Sequence, residues 1–453
     1  MDAPVKKARP APATGPRARP GRPPNDAAEG ATAAERAFFA AVLAYSRAGA
    51  GEAASAAALA VAPRAHRFAL RGRLDRFFRH HARLGWLLAR QGESATPESM
   101  AAAALVLFDK VEPEIAARLA STGAGQARRL TTALVRLREG GLRHPEMPEA
   151  VRLECPPEML PLFAAAFGAR MGEELAALTR AAPVDLRANR LKATRDALDA
   201  ELRAEGIVTD PLRAPDALRA KGRPDIPSSA AFLAGLCEIQ DEGSQIVAAL
   251  VGARPGRQVL DFCAGAGGKS LALAAAMANR GHLVAADVSE KRLARAKLRM
   301  KRAGVENAER VLLTGTDEDP FLTAQAGHFD RVLVDAPCSG TGAWRRHPEI
   351  RWKGLDLDRL TGLQDAIFAR ASRLVKPGGH LVYATCSLLP AENEGRAAAF
   401  LAGHPEFRAV PAAEAWAEAT GAQWPFGDAD HLSLSPARDG TDGFFAAVFE
   451  RRR

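Results

Sequence analysis

The chain has 453 residues, 47% of them hydrophobic and 25% charged, with a formal net charge of +9. That length calls for two or three domains, and the composition excludes a collagenous or wholly disordered chain. The surplus of Arg and Lys favours acidic partners, nucleic acid first, although an Arg- and Ala-rich proteome leaves the same imprint.

In chain order, residues 1–30 are rich in Pro, Ala and Arg and nearly devoid of large apolar side chains. They bury too little surface to offset ordering entropy, so a disordered basic tail is expected. Residues 31–145 read as helices, with Ala, Leu and Phe at helical spacing over 33–45 and 100–119. Between them Arg64, Arg67 and Arg71, then Arg76, Arg79 and Arg83, step by three and four. Each trio is expected on one helix face, either as a row for a phosphate backbone or as a solvated face. Residues 150–235 open on prolines, then suggest a helix over 162–180, an alternating strand over 184–192, a helix over 196–205 and a Pro-rich loop over 211–227. This is a small α+β module.

From about residue 237 the alternation is regular. Strands are expected over 258–263, 282–288, 310–313, 331–334 and 380–383, with helices over 269–278, 290–303, 356–375 and 392–401. Strands alternating with helices imply an α/β fold with a mostly parallel sheet covered on both faces. The last run, 443–449, reads as an added edge strand.

Five cysteines occur: Cys155, Cys237, Cys263, Cys338 and Cys386. They are scattered, odd in number and lack a C-x-x-C pair, which argues against a disulfide scaffold or a metal site and for a reducing compartment. No apolar run is long enough to span a bilayer, and the N-terminus has no apolar signal core. A cytoplasmic protein, with no membrane or metal partner and expected as a monomer, follows.

Val259-Leu260-Asp261-Phe262-Cys263-Ala264-Gly265-Ala266-Gly267-Gly268-Lys269 is a strand, a Gly-rich turn and a helix start. Such a turn lets backbone and free helix N–H groups approach a ligand. A Walker A loop requires Gly at Cys263, and a G-x-G-x-x-G fingerprint requires Gly at Ser270, so both fail. Asp287 ends the next strand, where an acidic residue takes ribose hydroxyls. A nucleoside-containing ligand is therefore expected. Two cysteines sit where later strands end, Cys338 in Asp335-Ala336-Pro337-Cys338-Ser339-Gly340 and Cys386 in Tyr383-Ala384-Thr385-Cys386-Ser387. In an open α/β sheet these strand ends line the ligand crevice. Cys155, Cys237 and, for the most part, Cys263 read as small buried hydrophobes.

With these motifs in this order, the chain resembles the Sun/Nop-type (RsmB-like) family of S-adenosylmethionine-dependent RNA cytosine-5 methyltransferases. Arg345-Arg346-His347-Pro348-Glu349, Lys376-Pro377-Gly378-Gly379 and Gly440-Thr441-Asp442-Gly443-Phe444-Phe445 add to the match, which covers about residue 150 to the end. The resemblance implies a Rossmann-like class I methyltransferase domain over 236–453, preceded by an RNA-binding module over 150–235. It makes residues 31–145 a candidate NusB-like RNA-binding domain. Cys263, Ala264, Gly265, Ala266, Gly267, Gly268 and Lys269 would cradle the methionine part of S-adenosyl-L-methionine. Asp287 would hold the ribose, Asp317 would lie nearest the adenine, and Asp335 would face the reacting centre. Cys386 would be the nucleophile, Cys338 would assist release, and Lys269 would stand near the pocket. Arg190, Arg345 and Arg346 would meet RNA. The family's first turn usually reads Ala-Pro-Gly-Gly-Lys, and losing that Pro removes no contact group.

The implied chemistry explains why two thiols are needed. Carbon 5 of cytosine is a poor nucleophile, and a thiolate adding to carbon 6 turns the ring into an enamine. Asp335 is placed to stabilise charge developing on the ring, and a second group must assist loss of the carbon-5 proton and of the thiol. Pro337-Cys338 also resembles the Pro-Cys nucleophile of DNA cytosine-5 methyltransferases; Thr385-Cys386-Ser387 at the next strand end favours Cys386. The expected substrate is ribosomal RNA, 16S in particular. Transfer RNA and a non-catalytic ribosome-assembly role are the alternatives.

Overall fold

The computed structural model describes residues 30–49, 52–427 and 430–453, the side chain of Glu52 excepted. The tail expected over 1–30 therefore lies, Gly30 aside, outside the described residues. Seven helices between Ala33 and Gly140 pack around Phe38, Leu74, Phe77, Leu84, Leu88, Leu105 and Leu134. Thr32 opens the first by a reciprocal capping box with Glu35. The single helix read over 100–119 is two, Pro97–Asp109 and Pro113–Ala120, because Lys110 takes a left-handed φ of 61° and Pro113 restarts the chain.

The α+β module holds a four-stranded antiparallel sheet. Its strands are β1 (Val184–Ala188), β2 (Thr209–Pro211), β3 (Ala217–Ala220) and β4 (Cys237–Ile239), in the order β2-β3-β1-β4. The Pro-rich loop expected over 211–227 thus contains a strand and part of a second. The helix read over 162–180 breaks at Gly168, where φ is 53°, into Leu160–Phe167 and Met171–Thr179.

The large sheet is built from β5 (Gln258–Asp261), β6 (His282–Asp287), β7 (Ala308–Leu312), β8 (Phe329–Asp335), β9 (Val375–Thr385), β10 (Phe407–Val410), β11 (Leu432–Leu434) and β12 (Phe444–Arg451). Its order is β10-β12-β9-β8-β5-β6-β7, with β11 also on β12. The pairs from β7 to β9 are parallel, and β12 is antiparallel to β9, β10 and β11. The run over 443–449 is therefore interior, not an edge. This explains why Phe445, Ala446, Val448 and Phe449 are all buried. The central strands are apolar on both faces, as a sheet sandwiched by helices requires: Val259, Leu260, Leu333, Val334, Val382 and Tyr383 are fully buried. The order reverses between β5 and β8, so the crevice at their carboxyl ends is the natural ligand site. No helix among the described residues is long and apolar enough to cross a membrane.

Candidate active site

The chain leaves β5 through a turn that only small residues allow. Gly265 and Gly267 take φ of 55° and 81°, and a Cβ on Gly267 would meet the Ala296 Cβ at 3.1 Å. Gly267 then precedes the helix Gly268–Ala276. A cavity of about 510 Å³ opens over this turn. Cys263, Ala264, Gly265, Ala266, Gly268, Lys269, Asp287 and Asp335 all line it; Gly267 instead turns its back on it, against the neighbouring helix.

Asp287 ties the second strand end to the turn. One carboxylate oxygen accepts from the Gly265 N–H at 2.8 Å and the other from the Ser289 N–H at 2.8 Å. Asp317 does not reach the cavity. It is exposed and pairs with Arg370 at 2.8 Å, and Gly315, Thr316 and Asp319 form the wall at that point. Asp319 is the buried acid of this loop, accepting from the Thr314 and Phe321 N–H groups at 2.6 and 2.9 Å.

Asp261, at the end of β5, was not expected in the site. Its Oδ2 accepts from Ser270 Oγ at 2.6 Å, while its buried Oδ1 has no hydrogen-bond partner among the described residues, and the residue lies in the cavity wall. Burial pushes this carboxyl up to about 7. An orphan acceptor beside Gly-turn N–H groups and the Asp287 carboxylate is a donor set suited to a polar ligand with hydroxyl and ammonium groups.

The two cysteines meet. Cys338 follows β8 and Cys386 follows β9, and their Sγ atoms stand 3.5 Å apart. Lys269 Nζ donates to Asp335 Oδ2 at 2.6 Å and lies 5.3 Å from the centre of the Phe444 ring. Burial alone would pull the Lys269 ammonium down, but Asp335, and more weakly Cys386, hold it charged and above its ordinary value. The Cys338 thiol is pushed well up by its hydrogen bond with Cys386, by burial and by the charge of Glu392. In their 3.5 Å contact either sulfur can be the donor. Cys155 and Cys237 are pushed up to about 12 by burial, the state of inert core thiols. Cys263 is likewise pushed well up by burial.

Both thiol loops rest on Glu392, a fully buried carboxylate that the sequence did not single out. Ser339 and Ser387, each adjacent to a thiol, donate to it. The nearest sequence signal was Glu392 at the expected start of a helix, where carboxylates are common. The closing contact between the two loops is backbone: the Gly342 N–H donates to the Cys386 carbonyl at 2.9 Å.

The arginines expected on RNA divide. Arg345 is buried, with Nε 2.5 Å from Asp442 Oδ1 and a terminal nitrogen 3.4 Å from Asp241 Oδ2. Arg346 joins the same two carboxylates at 2.7 and 3.0 Å. Their charge is spent internally, so neither is free for a phosphate. Arg190 remains 60% exposed, 3.7 Å from Asp216. Part of the basic row also turns inward, while Arg64 and Arg76 stay exposed. The helix Arg67–Arg79 ends at His80 and a new one runs His81–Arg90, so the second trio does not share a face. Arg71 pairs with Asp75 and Glu349, Arg79 donates to the Arg345 carbonyl at 2.8 Å, and Arg83 donates to the Arg152 carbonyl at 2.6 Å. The Arg71–Glu349 and Arg79–Arg345 contacts, with Trp352 Nε1 on the Phe78 carbonyl at 3.0 Å, fasten the helical domain to the segment that follows Cys338, and Arg83 ties it to Arg152.

Residues 248–450 match the family described as 16S rRNA methyltransferase RsmB/F. The chain is 38% identical over 245 residues to the Ribosomal RNA small subunit methyltransferase B of Sodalis glossinidius, covering 53% of this chain and 56% of that protein. It is 36% identical over 268 residues to the protein of that name in Pectobacterium carotovorum, covering 58% and 59%. The chain thus matches somewhat more than half the length of these relatives. Among solved structures, the protein PH0851 superposes with a TM-score of 0.76 at 25% identity, covering 92% of this chain and 98% of that one. A methyltransferase homologue from Pyrococcus horikoshii superposes at 0.57 with 27% identity, covering 69% and 100%.

Proposed function

From the match of residues 248–450 to the family described as 16S rRNA methyltransferase RsmB/F, we propose that this chain methylates carbon 5 of a cytosine in ribosomal RNA, 16S in particular, using S-adenosyl-L-methionine. The observation that carries the reading is the pair of thiols, 3.5 Å apart at the carboxyl ends of adjacent parallel strands, beside a part-buried Lys–Asp pair in the cavity wall. Non-catalytic RNA binding gives no reason for two thiols in contact there.

The cavity fits the cofactor. Cys263 to Gly268 and the free N–H groups of the following helix would hold its amino-acid part, with the orphan Asp261 oxygen as acceptor for its ammonium. Asp287 would take the ribose hydroxyls, and Gly315 and Thr316, rather than Asp317, would line the adenine. When bound, the cofactor supplies an electrophilic methyl group.

Cys386 Sγ adds to carbon 6 of the extruded cytosine, which makes carbon 5 nucleophilic. The Cys338 thiol, donating to Cys386, stabilises the thiolate before attack. As the adduct forms the ring nitrogen gains negative charge, and the charged Lys269 ammonium, paired with Asp335, is the neighbouring donor that would offset it. A base then takes the carbon-5 proton, the ring double bond re-forms, and the Cys386–carbon bond breaks with its electron pair returning to sulfur; Cys338 is the neighbouring group proposed to assist that release. RNA carrying 5-fluorocytidine has no carbon-5 proton to lose, so wild type should accumulate a covalent complex with it. Cys386→Ala should abolish that complex and Cys338→Ala should retain it. Trapping by Cys386→Ala but not by Cys338→Ala would exchange the two roles, and absence of any complex or methyl transfer with wild type would end the proposal.

A further inference from the structure

The two thiols lie on loops that start from different strands, 48 residues apart in sequence. Nothing covalent fixes their separation. A thiol pair that trades a proton and then attacks a ring must be held to well under an ångström, because misplacement of about 1 Å costs on the order of 10²-fold in rate.

Four hydrogen bonds converge on the Glu392 carboxylate. Oε1 accepts from the Ser339 N–H at 2.8 Å and from Gln364 Nε2 at 2.9 Å. Oε2 accepts from Ser339 Oγ and from Ser387 Oγ, both at 2.5 Å. Those hydroxyls are also 3.1 Å from one another. The same Gln364 amide donates to the Pro337 carbonyl at 3.0 Å, gripping the residue before Cys338. Tyr383, at the end of β9, donates its hydroxyl to the Glu392 carbonyl at 2.7 Å. Thr385, the residue before Cys386, donates to Asn393 Oδ1 at 2.5 Å. All four donors to the carboxylate are neutral. A fully buried carboxylate with only neutral partners is a costly way to fill space, since packing alone is served better by an apolar side chain. Its charge makes all four hydrogen bonds strong and fixes their direction.

We propose that Glu392 is a positioning residue, a buried clamp that grips Ser339 and Ser387 and thereby sets the distance and orientation of the Cys338 and Cys386 thiols. This deepens the assignment of that pair as the working groups of the methyltransferase and rests on it. Glu392 touches neither substrate nor thiol; it acts through the serines next to them.

The test uses full-length protein and Glu392→Gln, which keeps shape but turns one oxygen into a donor facing donors. The separation of the thiols is read without RNA, by the rate at which diamide oxidises Cys338 and Cys386 to a disulfide. In that reaction the two thiols lose two electrons and two protons, and the azo bond is reduced to a hydrazine. In parallel, kcat, the KM for RNA, cofactor affinity and the pH profile of Cys386 alkylation are measured. The clamp predicts a fall of roughly 10-fold or more in the disulfide rate and roughly 10²-fold in kcat, with cofactor affinity and KM changed less than about 2-fold. It also predicts a shifted alkylation profile, since removing the Glu392 charge relaxes the proton between the thiols. A lower melting temperature with an unchanged disulfide rate, alkylation profile and kcat would reduce Glu392 to a structural group and overturn the proposal. Should Glu392→Gln fail to fold, Ser339→Ala removes one of the clamped hydroxyls and must slow disulfide formation in the same direction. The two readings fail separately. If wild type methylates no RNA but its disulfide rate falls in the variant, the clamp stands and the catalytic assignment does not.

Discussion

Replacing Arg345 by Ala separates a structural arginine from an RNA-binding one. The guanidinium bonds Asp442 at 2.5 Å, Asp241 at 3.4 Å and the Gly440 carbonyl at 3.0 Å, and its side chain is 7% exposed. Removal leaves two nearly buried carboxylates sharing Arg346 alone. Breaking a buried pair by deleting one partner costs about 3–5 kcal/mol, because the remaining charge is uncompensated. For a domain of this size that is a fall in melting temperature of roughly 6–20 °C. Asp241 is already pushed up to about 6 by burial and by Asp442. Without Arg345 it rises further, and a carboxyl raised in the folded state loses stability as pH rises through its folded value. The deficit of the variant should therefore be larger at pH 8 than at pH 5. A phosphate contact predicts something else: the slope of log affinity against log salt would shrink by about 0.7–0.9 with little thermal effect. Differential scanning calorimetry and RNA titrations over a salt series decide between them. A reduced salt slope with an unchanged melting temperature would refute the internal assignment.

Asp261→Asn should remove a pH dependence. A carboxyl titrating near 7 folded and near 4 unfolded makes wild type lose roughly 4 kcal/mol between those values as pH rises. The variant should therefore be the more stable at pH 8 and show a flatter melting profile, checked by thermal scans from pH 4 to 8. Gly342→Ala should cripple turnover without unfolding the protein. Its Cβ would lie 2.6 Å from Gly443 Cα, an overpacking cost of about 1–3 kcal/mol that shifts the loop after Cys338 away from Gly443 and disturbs its hydrogen bond to the Cys386 carbonyl, with single-turnover rates falling on the order of 10²-fold. Glu349→Gln should loosen the helical domain. Burial would raise this carboxyl, but His347 and Arg71 hold it at about 2. A depressed carboxylate stabilises above its unfolded value near 4 and loses that as pH falls towards 2. Proteolysis of the 140–150 segment should be faster in the variant at pH 7, and the difference should vanish by about pH 2.

The sequence showed the strands of the large sheet because they are buried on both faces, which leaves runs such as Val332-Leu333-Val334 with no polar interruption. It showed the two cysteines and Asp287 because strand ends and Gly turns carry local signals. It did not show where 443–449 goes: an apolar run reads the same at an edge or between β9 and β10, and only the pairing decides. Charge was the least legible property. Arg71, Arg79, Arg345 and Arg346 look in sequence like an offer to a phosphate backbone, yet their partners Glu349, Asp241 and Asp442 sit up to 278 residues away. Glu392 is the same case with the sign reversed. Its serine partners lie 53 and 5 residues off, so no motif spacing marks it. The pattern has a common cause. A buried charge must find compensation, and compensation is a three-dimensional requirement that a linear pattern does not encode. In this chain the charges that the sequence assigned to the surface are the ones that join the helical domain, the α+β module and the segment after Cys338 into one body around the thiols.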